Sequence, residues 1–398
     1  MDSKLLKLAL ILGLMSAIGP FAIDMYLPAL PDVAAEFDAP VAYAQWTLMA
    51  FFVAFGVSQL FYGPASDMFG RKPPIYFGLA VFSLASIGCA LAPSIEVLIA
   101  LRFIQGIGAA AVMSIPRAII RDLYTGAKAT RLMSTIMLVI SVSPMLAPLV
   151  GSTLIVPFGW RSVFVAVMVA TAVSLALALF ALPETRQRAD RSPFEGRAML
   201  RNFGTLLRDP SFMGLTFIGG LGMSAFFTFL ASSSFIYMEF YGLTPTQFSL
   251  AFAINALGFF SASQFAANLT ARLGAERLIR LSTFGYSLVS LALLGLFAVG
   301  AGSLPLLVGL LVLSNVFMGF IMPSSMVLAL ENHGPIAGAA ASLGGTMQML
   351  LGALAMVVSS LLFNGTPIPM LSVIGVCAFG ALVLAIVTVR SPSVQPAE

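Results

Sequence analysis

The sequence has 398 residues, of which 59% are hydrophobic and only 9% are charged, whereas charged residues make up about 25% of an average soluble domain. This composition excludes an ordinary soluble domain and predicts a membrane protein with several spans. The net charge of +4 would suit an acidic partner such as nucleic acid, but the positions of the basic residues favour membrane topology as its cause, so we expect no nucleic-acid partner.

The hydrophobic segments have the length of transmembrane helices. A run of about 20 apolar residues crosses the ~30 Å hydrocarbon core as a helix. Twelve such runs cover residues 8–31, 42–65, 74–93, 97–119, 132–156 and 161–182, then 212–238, 246–270, 278–301, 304–330, 336–363 and 368–389. The sequence therefore predicts an all-α integral membrane protein with twelve transmembrane helices.

A polar segment divides these spans into two groups of six. Residues 183–211 are rich in Arg and Pro, which suits a linker rather than a domain with a core. We expect one six-helix bundle at 1–182, a second at 212–390 and a tail at 391–398. The sequence Ser-Gln-Leu-Phe at 58–61 is echoed by Ser-Gln-Phe-Ala at 263–266, which favours two pseudosymmetric repeats.

Basic residues collect in alternate loops. If the amino terminus is cytoplasmic, every Lys and Arg except Arg102 and Arg161 lies at the cytoplasmic side, as the positive-inside rule requires. We expect both termini in the cytoplasm and a multi-pass protein of a bacterial-type cytoplasmic (inner) membrane, with the lipid bilayer as a partner.

One carboxylate lies inside a predicted span. Asp24 falls in span one, where a charge costs at least ~2.5 kcal/mol, and Arg102 lies at similar depth in span four, roughly 9 Å from its outer end. Because buried charges need partners, we predict that the two pair. We hypothesise that Asp24 is ionised while Arg102 is close and takes up a proton when they separate. Two alternatives stay open: Asp24 caps a Pro-interrupted helix, or Arg102 bonds a backbone carbonyl.

Three short motifs resemble those of a known transporter family. Gly63–Lys72, GPASDMFGRK, resembles the signature loop of the major facilitator superfamily, Leu101–Gly106 its span-four motif, and Ala147–Gly151 the span-five motif of its antiporters. Three further segments are similar to the Bcr/CflA group of drug:proton antiporters: Asp24–Pro31, Arg121–Tyr124 and Gln348–Ala353. The resemblance covers nearly the whole chain.

The resemblance implies roles for particular residues. A charge network that latches the two bundles in the outward-facing state is implied for Gly63, Asp67, Gly70, Arg71 and Asp122. The antiporter motif of span five is implied for Pro144, Pro148 and Gly151. In such a loop Gly63 would permit a close backbone approach, Gly70 a tight turn, and Arg71 a bridge between two carboxylates. Alternatively, Arg71 and Lys72 serve only as inside-positive anchors.

The side chains suited to substrate are mostly apolar. Twenty-one Met and 33 Phe residues favour a permissive cavity for amphipathic drugs or metabolites over a sugar site rich in hydrogen-bonding groups. We expect about half of the candidates on the cavity spans to face it, as one helix face does. They are Tyr26, Gln105, Met113, Phe226, Phe227, Ser233, Tyr237, Asn255, Asn315, Met318 and Gln348.

These observations predict a monomer that exports small amphipathic drugs in exchange for protons by alternating access. An uptake symporter or metabolite exporter of the same fold, and a non-transporting membrane subunit, remain alternatives. We expect no enzyme, no metal and no cofactor besides the coupling proton, because the sequence offers no nucleophile or ligand constellation and no GxxxxGK[ST] phosphate loop. His333, the one histidine, is expected to be solvated in the loop before span eleven.

Overall fold

A computed structural model of the chain describes residues 3–187, 191, 196–331 and 333–389. Within these residues, twelve helical segments are long and apolar enough to cross a membrane, and no strand occurs. The all-α membrane fold class with twelve spans is therefore confirmed.

The first six spans are formed by seven α-helices. Their bounds are Ser3–Asp24 (α1), Leu30–Glu36 (α2), Val41–Phe69 (α3), Lys72–Ala90 (α4), Ile95–Leu123 (α5), Gly126–Phe158 (α6) and Arg161–Ala181 (α7), and a 3-10 turn at Leu27–Ala29 joins α1 to α2. Span one comprises α1 and α2, and spans two to six are α3 to α7.

The remaining elements include one helix outside the predicted spans. Their bounds are Gly196–Arg208 (α8), Pro210–Ser234 (α9), Pro245–Leu273 (α10), Ala275–Ala298 (α11), Leu304–Glu331 (α12), Ala337–Leu362 (α13) and Ile368–Thr388 (α14). Spans seven to twelve are α9 to α14, and span seven continues past α9 through a π-helical turn at Phe235–Phe240. Within the expected linker, α8 is amphipathic and packs against α9 and α13, with Leu206 buried.

The helices form two compact units. Unit 1 comprises Met1–Glu195 with Tyr237–Ala253, and unit 2 comprises Gly196–Ile236 with Ile254–Glu398. Inside unit 1, span one packs on span five and span three on span six; inside unit 2, span seven packs on span eleven and span nine on span twelve. The two units thus repeat one internal arrangement, which is the expected pseudosymmetry.

Small residues let the helices of unit 1 touch backbone to backbone. A Cβ added at Gly106 of α5 would lie 2.3 Å from the Phe51 carbonyl oxygen, and one at Gly108 would lie 2.5 Å from that of Gly78. Such contacts replace the hydrophobic driving force, which is weak between helices in lipid. They fix α5 against α3 and α4, and therefore fix the side chains that α5 carries.

Candidate functional site

Span one breaks immediately after Asp24. α1 ends at this residue, because Pro28 has no N–H to donate to the carbonyl four residues earlier and its ring crowds that carbonyl. The Tyr26 N–H, which would reach Ala22 in a continuing α-helix, donates to Ile23 instead at 3.2 Å. The Ala22 carbonyl therefore lacks its helical N–H donor and can accept a hydrogen bond from a side chain.

Arg102 supplies that side chain from α5. Its Nη1 donates to the Ala22 carbonyl at 3.3 Å and to Oε1 of Gln105 at 2.5 Å. The residue is fully buried, and its Nε and Nη2 have no hydrogen-bond partner in the described part of the chain. Three rings surround the guanidinium carbon, with centroids at 5.0, 4.7 and 5.7 Å: Tyr26, Phe51 and Phe164. Cation–π contacts thus replace an anionic partner.

The predicted ion pair between Asp24 and Arg102 is not formed. Asp24 is only 4% exposed, yet no basic nitrogen among the described residues lies within 4 Å of its carboxyl group. The guanidinium is held by a backbone carbonyl instead, which is one of the two alternatives above. Equal depth did not ensure contact, because two helices must also turn the relevant faces toward each other.

Span five meets span one at the break. A Cβ added at Gly151 would lie 2.3 Å from the Met25 carbonyl oxygen, so only glycine permits this approach. α6 continues through Pro144 and Pro148, each of which removes a backbone donor, and the Pro148 carbonyl accepts a hydrogen bond from Ser249 at 2.9 Å. The glycine of the span-five motif therefore lies against the residue that follows Asp24.

A second group of charges surrounds Arg71, between α3 and α4. Its Nε and Nη2 donate to the two carboxylate oxygens of Asp122 at 2.7 and 3.0 Å, the bidentate geometry that gives strong ion pairs. Its Nη1 donates to Asp67 at 2.8 Å and to the Ser66 hydroxyl at 2.7 Å. Partial burial alone would lower the pKa of Arg71, but the carboxylate of Asp122 and then that of Asp67 raise it. The structure thus brings Asp67, Arg71 and Asp122 together.

Glu184 completes this group, and the sequence analysis missed it. Its carboxylate accepts hydrogen bonds from the backbone N–H groups of Arg71, Lys72 and Arg186 at 2.9, 3.1 and 3.0 Å. Burial alone would raise the pKa of Glu184, but these donors hold it below its ordinary value. The sequence feature that could have indicated this role is the position of Glu184, an acid directly after span six at the start of a segment otherwise dominated by arginine.

The two glycines of the signature loop differ. Gly70 has a φ of +94°, and a Cβ there would lie 2.8 Å from Oε2 of Glu184 and 2.9 Å from Nη2 of Arg191. The expected tight turn is therefore present. Gly63, expected at a close backbone approach, has nothing within 4 Å of an added Cβ. That expectation is wrong for this structure, because no neighbouring backbone lies beside α3 at this residue.

Of the cavity candidates in unit 1, Tyr26 and Gln105 lie beside Arg102, and Met113 lies further along α5. Tyr26 and Gln105 are fully buried, and Met113 is half-buried. Gln105 also donates to the Ser86 hydroxyl at 2.8 Å, so it links α4 to Arg102. The Met113 sulfur would lie 3.2 Å from a Cβ at Gly19, on span one. Tyr26 and Gln105 both contact the buried guanidinium.

All the other candidates except Tyr237 belong to unit 2. Asn315 donates to Asn255 at 3.4 Å, and the rings of Phe226 and Phe227 are in contact. The side-chain nitrogen of Gln348 would lie 2.7 Å from a Cβ added at Gly219. The residues of this group are on α9, α10, α12 and α13: Phe226, Phe227, Ser233, Asn255, Asn315, Met318 and Gln348. Tyr237 belongs to unit 1 and lies in the π-helical turn, its ring 6.0 Å from that of Phe248. π-Turns are frequent at functional sites.

His333 is not solvated, contrary to expectation. Its side chain is 11% exposed, and its Nε2 lies 3.0 Å from Oδ2 of Asp209, the residue that precedes α9. Its Nδ1 lies 3.1 Å from the Ala329 carbonyl oxygen, and its ring makes an edge contact with Phe212. The histidine therefore ties the loop before span eleven to the start of span seven.

Comparison with known proteins agrees with this fold. A family model described as Major Facilitator Superfamily matches residues 12–356 and again 231–398. The chain is 33% identical over 351 residues to an uncharacterized MFS-type transporter of Bacillus subtilis, covering 88% of this chain and 87% of that protein. It is 31% identical over 371 residues to a bicyclomycin resistance protein homolog of Haemophilus influenzae, covering 92% of each.

Solved structures share the fold at low sequence identity. The xylose transporter XylE of E. coli aligns with a TM-score of 0.74 at 15% identity over 98% of this chain and 99% of that one. The human organic anion transporter MFSD10 aligns with a TM-score of 0.69 at 20% identity over 98% and 100%. The twelve apolar helices and the bacterial relatives indicate a multi-pass protein of the cytoplasmic (inner) membrane. The chain belongs to the major facilitator superfamily, a family of membrane transporters rather than enzymes.

Proposed function

We propose that this protein exports small amphipathic drugs in exchange for protons, by alternating access. The observation that carries the proposal is the buried Asp24 carboxyl, which lies at a helix break without a cationic partner among the described residues. A lone buried carboxylate is costly, and protonation removes that cost. The names of two relatives, a bicyclomycin resistance protein homolog and Multidrug resistance protein D of Escherichia coli, support drugs as the substrate class.

In the proposed cycle, Asp24 binds a proton while Arg102 is held away from it. Among the described residues, Nε and Nη2 of Arg102 have no hydrogen-bond partner, and in this proposal a shift of span one relative to α5 turns them toward Asp24. Pairing with Arg102 then favours the ionised form, and the proton leaves. The Asp24–Arg102 pair thus forms in one state of the cycle and is broken in the other.

The proton gradient supplies sufficient free energy. One charge that crosses 100 mV releases ~2.3 kcal/mol, which sustains a gradient of a neutral solute of roughly 50-fold. Transport therefore requires neither a metal nor a cofactor other than the coupling proton, and we propose that a monomer carries it out with both termini in the cytoplasm. The Arg71 group would then lie at the cytoplasmic end and latch the outward-facing state.

The test is transport in everted membrane vesicles. With an imposed proton gradient, we expect drug accumulation in the vesicles to be driven by the gradient and to fall at least tenfold in Asp24→Asn. Asp32→Asn is the matched control, because Asp32 is an exposed acid on the same span. Undiminished gradient-driven transport in Asp24→Asn would rule out the role of this residue, and drug movement in the opposite direction would favour the uptake symporter.

A further inference from the structure

A groove at one end of unit 1 combines two ammonium groups with an apolar wall. It has a volume of about 530 Å³ and lies where α1 and α4 begin and α5 and α7 end. Lys7 and Lys72 line it together with Tyr124, and the wall includes Leu123, Leu179 and Phe180. These helix ends all belong to the side of the bundle that carries the basic loops.

The positive charge in the groove is not neutralised by a neighbouring acid. No carboxylate of the described residues lies within 4 Å of the ammonium group of Lys7 or Lys72. Glu184 binds the backbone N–H of Lys72 rather than its side chain. The groove is therefore an anion-attracting surface in the unligated protein.

Lys72 is also held in position. Its Nζ lies 5.6 Å from the centroid of the Tyr76 ring, and the Tyr76 hydroxyl donates to the Ala178 carbonyl of α7 at 3.2 Å. A cation–π contact of this kind restricts the lysine without removing its charge. The ammonium group thus remains at the contact between α4 and α7, beside the apolar wall.

The apolar wall indicates a lipid rather than a soluble anion. Phe180 is 89% exposed, and Leu179 and Leu123 are also exposed, although they lie in the last turns of spans. In a membrane these side chains face acyl chains, while Tyr124 lies where aromatic residues favour the interface. A free phosphate would use the lysines and leave this wall without a ligand.

We propose that this groove binds the headgroup of an anionic phospholipid. The lipid phosphate would lie between Lys7 and Lys72, and an acyl chain would pack against Phe180 and Leu179. Basic pockets between transmembrane helices are suited to such headgroups. Since Lys72 follows Arg71 in the chain, the lipid would bind beside the charge network, but the proposal does not depend on drug efflux or proton coupling.

Native mass spectrometry of the full-length protein in detergent tests the proposal. With phosphatidylglycerol and phosphatidylcholine titrated separately, we expect the anionic lipid to be retained at least tenfold more strongly. The double variant Lys7→Gln with Lys72→Gln should lose this preference by about tenfold, whereas Lys7→Arg with Lys72→Arg should keep it. Circular dichroism should show unchanged helix content in both variants.

A matched control removes the same charge from unit 2. Arg272→Gln with Arg277→Gln alters a region that also contains the acids Glu276 and Glu331, and it should leave phosphatidylglycerol retention unchanged. Equal retention of the two lipids by the unaltered protein, or an equal loss in this control, would overturn the proposal. So would displacement of the lipid by glycerol 3-phosphate, which would indicate a site for soluble phosphate.

Discussion

The same turn occurs in both units, but among the described residues ion pairs are found beside only one of the two turns. Gly70 precedes span three with a φ of +94°, and Gly274 precedes span nine with a φ of +80°. Beside Gly70, Arg71 binds two carboxylates and Glu184 binds backbone N–H groups. Beside Gly274, no ion pair is found among the described residues of Thr270–Gly274. The turn thus occurs both with and without ion pairs beside it among the described residues.

The residues that follow span six and span twelve are bound to the neighbouring helix by different kinds of hydrogen bond. In unit 1, a carboxylate after span six accepts from the backbone at the start of span three. In unit 2, the guanidinium of Arg280 on span nine donates to the Val389 carbonyl at the end of span twelve. One arrangement places a negative side chain against N–H groups, and the other places a positive side chain against a carbonyl. Both satisfy backbone groups at a helix end.

The largest effect is expected from Arg71→Gln. Removal of the guanidinium takes the bidentate partner from Asp122 and leaves Arg186, 3.7 Å from Asp67, as the remaining cation. The free energy of unfolding should fall by about 3 kcal/mol. Arg272→Gln, in the last turn of α10, should cost less than about 0.5 kcal/mol because Arg272 is exposed. Thermal unfolding of both purified variants measures this. Equal losses would show that the two loops do not differ in the way described.

Alanine substitutions at the two turn glycines separate strain from crowding. Both glycines have backbone angles that other residues rarely adopt, so Gly70→Ala and Gly274→Ala should each cost about 1–3 kcal/mol. At Gly70 the new methyl group would also contact Glu184 and Arg191, whereas at Gly274 it would meet nothing within 4 Å. We expect Gly70→Ala to be the more destabilising by about 1 kcal/mol. If crowding is its cause, the difference should shrink in a Glu184→Ala background and vanish when Arg191→Ala is added.

Glu184→Gln tests the carboxylate that binds the backbone at the start of span three. The amide accepts fewer and weaker hydrogen bonds than the carboxylate, so stability at pH 7 should fall by about 1–2 kcal/mol. Because the folded-state pKa is lowered, this stabilisation is present above the ordinary glutamate pKa of about 4.3 and is lost as the pH falls through the lower folded value. The unfolding midpoints of the two proteins should therefore converge below pH ~4. A constant difference from pH 7 to pH 3 would contradict this explanation.

The smallest effect is expected at the histidine of unit 2. His333→Gln and Asp209→Asn each remove one side of a partly exposed contact, so a double-mutant cycle should give a coupling of about 0.5–1 kcal/mol. Glu331→Gln is the control, since Glu331 is an exposed acid two residues before the histidine. A coupling with Glu331 as large as that with Asp209 would contradict the specific contact.

Sequence patterns were sufficient for the spans and for the Arg71 group. Hydrophobic length identifies each span, and the signature loop places Asp67 and Arg71 four residues apart on either side of the turn at Gly70, so that their contact is local. The contact of Asp122 with Arg71 could be predicted only from the family resemblance, since the two residues are far apart in the chain. The long-range partner Glu184 was missed because it lies in a polar segment whose path could not be derived from composition.

The Arg102 environment shows why depth alone was an insufficient guide. Position along a helix gives the depth of a side chain in the membrane, but its direction depends on how helices are rotated against one another. Arg102 is turned toward a carbonyl that exists as an acceptor only because span one breaks before Pro28. Likewise, His333 was expected in solvent because the proximity of Asp209 arises only when span seven and span eleven pack together.

The contact between Gly151 and Met25 has a mechanical consequence. No side chain stands between the backbone of span five and that of span one at this residue, so there is no flexible group to absorb relative movement. Any sliding or tilting of span five is transmitted directly to the peptide unit that follows Asp24. The position of Asp24 therefore depends on direct backbone contact with span five.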